Sequence, residues 1–160
     1  MDINLEINRR VKCWKENVFF KKIAQLTIQN VFDCNENEED NLVEISVALV
    51  SKKEIKKINW NWRGVNNSTD VLSFAEREVK IKKTISQKNQ RPKANKQEYL
   101  GEIILCCDFI AESAIMKKRN KEKELAEVFS HGILHLLGLS HGKKMFDIQK
   151  KVCQKISGLK

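Results

Sequence analysis

The sequence predicts one layered α/β or α+β domain around a small, mostly buried sheet, on three observations. The chain has 160 residues, one domain's length. With one proline and six glycines it has no Pro/Gly-rich divider, and 41% hydrophobic residues can fill a core. Segments of period two and of helical period follow each other in the order β-α-β-α-β-β-α-α-α, the pattern of packed layers. Residues 1–160 are therefore expected to form a single domain.

Residues 2–8 alternate apolar and polar, as a half-buried strand does. From Lys15 to Phe32 the residues Val18, Phe19, Ile23, Leu26 and Val31 recur at helical spacing. Residues 33–44 carry acids and no base and read as a solvated loop. Glu44–Val50 alternates again as a second strand. Ser51 is the expected N-cap of a short helix to about Trp60, with Glu54 at the capping-box position. A polar connection, Asn61–Thr69, leads to a third strand at Asp70–Ala75. Tyr99–Cys107 is almost continuously apolar and so reads as a central strand. Asp108 is the expected cap of a helix through Met116, and a further helix from Lys121 to Leu137 stops at Gly138. From Lys143 a last amphipathic helix carries Met145, Ile148, Val152 and Ile156 on one side.

Lys and Arg number 30 against 21 Asp and Glu, a formal charge of +9 that favours an anionic partner. The excess is concentrated. Residues 77–97 hold Arg77, Lys80, Lys82, Lys83, Lys88, Arg91, Lys93 and Lys96 against Glu78 alone, leaving the remainder close to neutral. This segment is either a solvated lysine-rich loop or a clamp that gathers nucleic-acid phosphates. No apolar run approaches the length of a membrane span, and the N-terminus lacks the pattern of a secretory signal. Five cysteines with no CxxC pair fit a reduced, cytoplasmic interior better than a disulfide framework.

The chain's three histidines lie together in His131-Gly132-Ile133-Leu134-His135-Leu136-Leu137-Gly138-Leu139-Ser140-His141. His131 and His135 are four apart on the expected helix and project side by side, at the margin of the stripe formed by Leu125, Val128, Phe129, Ile133, Leu136 and Leu137. A turn at Gly138 lets His141 fold back as a third ligand. Three imidazoles with an open position suit one catalytic zinc ion, although Cys106 or Cys107 could approach in space. The spacing is that of zinc proteases, but Gly132 stands where they carry the general-base glutamate, which argues against peptide hydrolysis.

These residues resemble a known family. The histidine block is similar to the signature of the YbeY family of rRNA maturation factors, zinc-dependent single-strand endoribonucleases. A second block, Arg63-Gly64 followed by Thr69-Asp70-Val71-Leu72-Ser73-Phe74, matches the family's Arg-Gly-x-x-x-x-Thr-Asp-Val-Leu-Ser-Phe. A third, Leu100-Gly101-Glu102-Ile103-Ile104-Leu105, is similar to its Leu-Gly-Asp-Ile-x-Ile strand. The resemblance implies an α+β fold with a small mixed four-stranded sheet, about five helices, and the zinc helix on one side. It implies His131, His135 and His141 as metal ligands and Arg63 as the cationic residue of the cleft. It implies single-stranded ribosomal RNA as substrate, and the small ribosomal subunit or its assembly proteins as partners. Zinc would activate water or polarise the phosphate, and Arg63 would stabilise phosphate charge.

Two positions depart from the pattern. Ser140 stands where the family has Asp, and Ala75 where it has Pro. Ser140 keeps open the alternative of a non-catalytic RNA- or ribosome-binding factor with a structural zinc. Asp70 is read as a strand-start turn in preference to a histidine-orienting partner, and Trp60 and Trp62 as packed under the loop in preference to stacking on bases.

Overall fold

The computed structural model describes residues 2–32, 42–76 and 97–157. Residues 33–41 of the expected acidic loop, with Cys34, and all of the basic segment except Gln97 lie outside them, while residues 42–44 belong to the second strand and not to a loop. The described elements are β1 (Asp2–Arg9), α1 (Asn17–Phe32), β2 (Leu42–Leu49), α2 (Lys52–Arg63), β3 (Val71–Ala75), β4 (Gln97–Leu105), α3 (Cys107–Met116), α4 (Lys121–Leu136) and α5 (Lys143–Ser157). The sheet order is β1-β2-β4-β3. β1, β2 and β4 run parallel and β3 pairs antiparallel with β4, so the sheet is mixed, as expected for this α+β class. β4 is internal, in keeping with its apolar run.

Alternation along the strands sorts the core into two sides. Val43, Ile45, Val47, Leu49, Ile103 and Leu105 face the large core shared with α1, α4 and α5. Ala48, Leu72 and Ile104 face a smaller cluster closed by Ile55 of α2. α2 starts as expected: the Ser51 hydroxyl accepts from the Glu54 amide, and the Glu54 carboxylate accepts from the Ser51 amide.

Several local expectations are corrected. α2 runs on to Arg63, so Arg63 closes a helix where the sequence pattern put a loop. The buried stripe of α1 is Phe20, Ile23, Ala24, Thr27 and Ile28, while Val18 is exposed. Asp108 does not cap α3. The chain enters that helix at Cys107, and Cys106 holds the cap position without a side-chain hydrogen bond. Asp108 sits instead in the first turn, where its charge faces the positive end of the helix dipole.

The pairing of β4 is irregular at one point. Tyr99 faces Glu44 and Gly101 faces Ile45, which leaves Leu100 as the extra residue of a bulge. Gly101 has φ +134, and a Cβ there would lie 2.1 Å from the Phe74 carbonyl oxygen of β3. Only glycine lets β3 and β4 approach at this place. Gly101→Ala is expected to cost about 3 kcal/mol, from overpacking plus backbone strain, and to shift the midpoint of urea unfolding accordingly.

Candidate metal centre

α4 carries the first two histidines, and its two ends are fixed by different means. At the start, the Asn120 side chain accepts from the amides of Glu122 and Lys123 at 2.8 and 3.2 Å. Glu124, buried in the same first turn, meets Lys117 Nζ at 2.5 Å and Arg119 Nη1 at 3.1 Å, and accepts from Ser113 at 3.2 Å. This ties the α3–α4 turn to the helix. At the other end Gly138 has φ +73. Its amide donates to the His135 carbonyl at 2.9 Å, and the Leu139 amide donates to the Leu134 carbonyl at 2.9 Å. That is a Schellman closure, and Leu139 is buried beyond it.

The reversal returns His141 over the helix. His131 and His135 stand with their Nε2 atoms 2.9 Å apart, and His141 Nε2 lies 2.9 Å from that of His135. Among the described residues, these three form a group able to hold a metal ion. Cys106 and Cys107 are buried and do not join it. His131 and His135 are half-buried and His141 is exposed, so the cluster opens into a cleft.

The cleft measures about 910 Å³. Arg63, Thr69, Asp70, Val71 and Ser73 line it opposite the histidines, and Ser140 stands exposed at its rim. Arg63 thus joins the histidines, as the motif blocks imply. Asp70 Oδ1 accepts from the Val71 amide at 2.8 Å and from the Thr69 hydroxyl at 3.1 Å, which fits the strand-start reading, and the charge of Asp70 also acts on His131 across the cleft.

Trp60 and Trp62 do not pack under a loop. They are 55% and 73% exposed, Trp62 resting edge-on against Phe74 with ring centroids 5.6 Å apart. Gly132 faces the sheet, and a Cβ there would lie 3.3 Å from methyl groups of Ile103 and Val71. The helix backbone therefore lies close to β3 and β4 at the position where zinc proteases place a glutamate.

Sequence reasoning missed one residue. Gln149 of α5 is buried, with Nε2 3.4 Å from His131 Nδ1 and 3.3 Å from the Glu127 carbonyl oxygen that accepts from it. Its Oε1 is buried without a hydrogen-bond partner among the described residues. The signal was its place on the apolar face of α5, one residue after Ile148, where a polar side chain is costly unless it is used.

A family model described as Endoribonuclease YbeY matches residues 9–157. The chain belongs to the YbeY family. Among similar proteins, Endoribonuclease YbeY of Thermosipho melanesiensis is 33% identical over 141 residues, covering 84% of this chain and 89% of the relative. Endoribonuclease YbeY of a Sulfurihydrogenibium species is 32% identical over 149 residues, covering 89% and 90%. A solution structure of a Thermotoga maritima protein, 28% identical, superposes with a TM-score of 0.57 over 97% of this chain and 90% of that one. The YbeY fold is thus the α+β arrangement of four strands and five helices described above. No described helix is long and apolar enough to cross a membrane.

Burial, followed by the charge of His141, holds His131 below the ordinary imidazole value of 6.5. Burial, followed by the charges of His131 and His141, does the same to His135. A depressed value means that the unfolded chain takes up protons first. These groups therefore support folding above about pH 6.5 and withdraw that support as pH falls through their lowered values. Metal-free protein is expected to lose stability between pH 7.5 and 5, and His131→Gln/His135→Gln to lose less. Urea unfolding across that range checks this, and an equal loss in both proteins would contradict it.

Proposed function

We propose that this chain is a zinc-dependent endoribonuclease that cuts single-stranded RNA during ribosomal RNA maturation in the cytoplasm. The observation that carries the reading is the convergence of three imidazole nitrogens on one point of a cleft that also holds Arg63. Neutral nitrogen donors without a carboxylate suit zinc better than magnesium or calcium, and three protein ligands leave a position for substrate. His131, His135 and His141 would hold the ion through Nε2. When bound, zinc supplies Lewis acidity toward a phosphoryl oxygen. Residues 1–160 act as one domain in this reading, and the expected partners are single-stranded ribosomal RNA and the small subunit or its assembly proteins.

The protein's own groups have separate tasks. Burial keeps the imidazoles of His131 and His135 neutral, with lone pairs available at neutral pH. The Arg63 guanidinium offers a planar fork that matches two phosphate oxygens. Val71, Leu136 and Leu139 add apolar surface to the cleft wall. With the ion held through Nε2, the proton of His131 would lie on Nδ1, the ring nitrogen that faces the Gln149 side-chain amide. With Gly132 against the sheet, α4 has no glutamate at the position where zinc proteases place their general base, and this disfavours peptide substrates.

The test is zinc content and cleavage of a single-stranded oligoribonucleotide, with and without chelator. His135→Ala is expected to lose both bound zinc and cleavage, and cleavage that survives would overturn zinc catalysis. Arg63→Ala should keep its zinc and cut about 100-fold more slowly, the scale of losing one group that stabilises transition-state charge. RNA bound but uncut by zinc-loaded wild type would replace the reading with the binding-factor alternative. Gln149→Leu should weaken zinc binding about tenfold in competition with a chelating dye, since its amide orients a ligand.

A further inference from the structure

α2 has an outer face that the metal centre does not explain. Lys53, Lys56, Lys57, Trp60 and Arg63 are all exposed. They fall at i, i+3, i+4, i+7 and i+10, so they form one stripe along the helix. The opposite side is committed to the fold: Ile55 and Asn59 are buried, and Asn59 donates to the Asn67 carbonyl at 2.9 Å. At 1.5 Å per residue the stripe is about 15 Å long. Its last member, Arg63, lines the histidine cleft.

The charge of this face is not spent within the fold. Lys52 pairs with Glu112, and Glu54 belongs to the capping box and faces Arg10 at 3.7 Å. Lys53, Lys56, Lys57 and Arg63 have no ion-pair partner among the described residues, and Trp60 has no ring contact among them. A single exposed tryptophan needs no explanation. An indole one turn before the cleft arginine, flanked by three uncompensated lysines, matches the chemistry of single-stranded nucleic acid: cations for phosphates and a π-face for a base. Trp62, fixed at its edge by Phe74, offers a second indole beside Arg63.

We infer that the outer face of α2 is a track for single-stranded RNA that feeds the histidine cleft. Lys53, Lys56 and Lys57 hold phosphates of the strand outside the cleft, Trp60 stacks on a base, and Arg63 receives the phosphate that enters the cleft. An acidic protein surface would satisfy the lysines but would give the indole no base to stack on. The occupant's identity as RNA rests on the function proposed above.

The experiment uses the full chain, chelated so that it binds without cutting, and fluorescence anisotropy of a labelled single-stranded oligoribonucleotide and of its duplex. Trp60→Ala is expected to weaken single-strand binding about tenfold, with Trp60→Phe restoring most of it and duplex binding unchanged. Lys53→Ser/Lys56→Ser/Lys57→Ser should lower the slope of log affinity against log salt by about two. In the zinc-loaded protein the Trp60→Ala loss should appear in KM, not in kcat. Circular dichroism and zinc content show that each variant is folded and loaded. If wild type cuts single-stranded RNA while these variants bind and cut it equally well, the track is wrong and the nuclease reading stands. If wild type neither binds nor cuts RNA, the nuclease reading itself fails. Loss of binding to purified small ribosomal subunits, with RNA affinity intact, would assign the face to a protein and overturn the track.

Discussion

The candidate site depends on how closely α4 lies against the sheet. At Gly132 the helix meets Ile103 and Val71 with no room for a larger side chain unless they shift. On its other sides the helix is packed by Phe20 of α1, whose ring meets Phe129 edge-on at 5.4 Å, and by α5. The hydroxyls of Thr27 and Ser130 lie 3.0 Å apart in the same buried layer, one residue from His131. A helix held on all these sides cannot rotate by a fraction of a turn, because interiors pack as densely as crystals. The histidine rings at its margin inherit that rigidity, which is what a ligand set needs in order to converge before a metal arrives.

β3 links this helix to the rest of the cleft. It is an edge strand whose alternation serves two masters: Leu72 and Phe74 face the α2 cluster, while Val71, Ser73 and Ala75 line the cleft. α2 and α4 therefore sit on opposite sides of the sheet, and both contribute residues to the cleft at its edge. Arg63, at the last turn of α2, reaches the histidines from across that edge. Gly101, beside the bulge in the β2–β4 pairing, permits the close approach of β3 to β4 and so helps set the cleft wall at some distance from the chemistry.

The electrostatics of the cleft are mixed. Burial opposes charge on His131 and His135, and the Arg63 charge adds to that opposition at His135. The result is a pair of neutral nitrogen donors with one guanidinium nearby, in a cleft that Asp70, Glu124 and Glu127 also line. Outside the cleft, positive charge continues from Arg63 along the outer face of α2.

Much of this was legible in the sequence because it is local. Alternation and helical spacing fixed the order of all nine described elements, and the Ser51–Glu54 pair marked one helix start to the residue. His131 and His135 had to share a helix margin at a spacing of four, and Gly138 had to turn the chain, whatever else surrounded them. The motif blocks carried Arg63 to the cleft. Tertiary packing decided the rest. Spacing alone does not say which face a neighbour covers, so Val18 was expected inside and lies outside, while Trp60 and Trp62 were expected under a loop and stand in solvent. Gln149 meets His131 across two helices, a contact that no local pattern encodes. Local sequence determines which side chains share a face. Only the assembled core, by covering some faces and leaving others to water, decides which of them become a site.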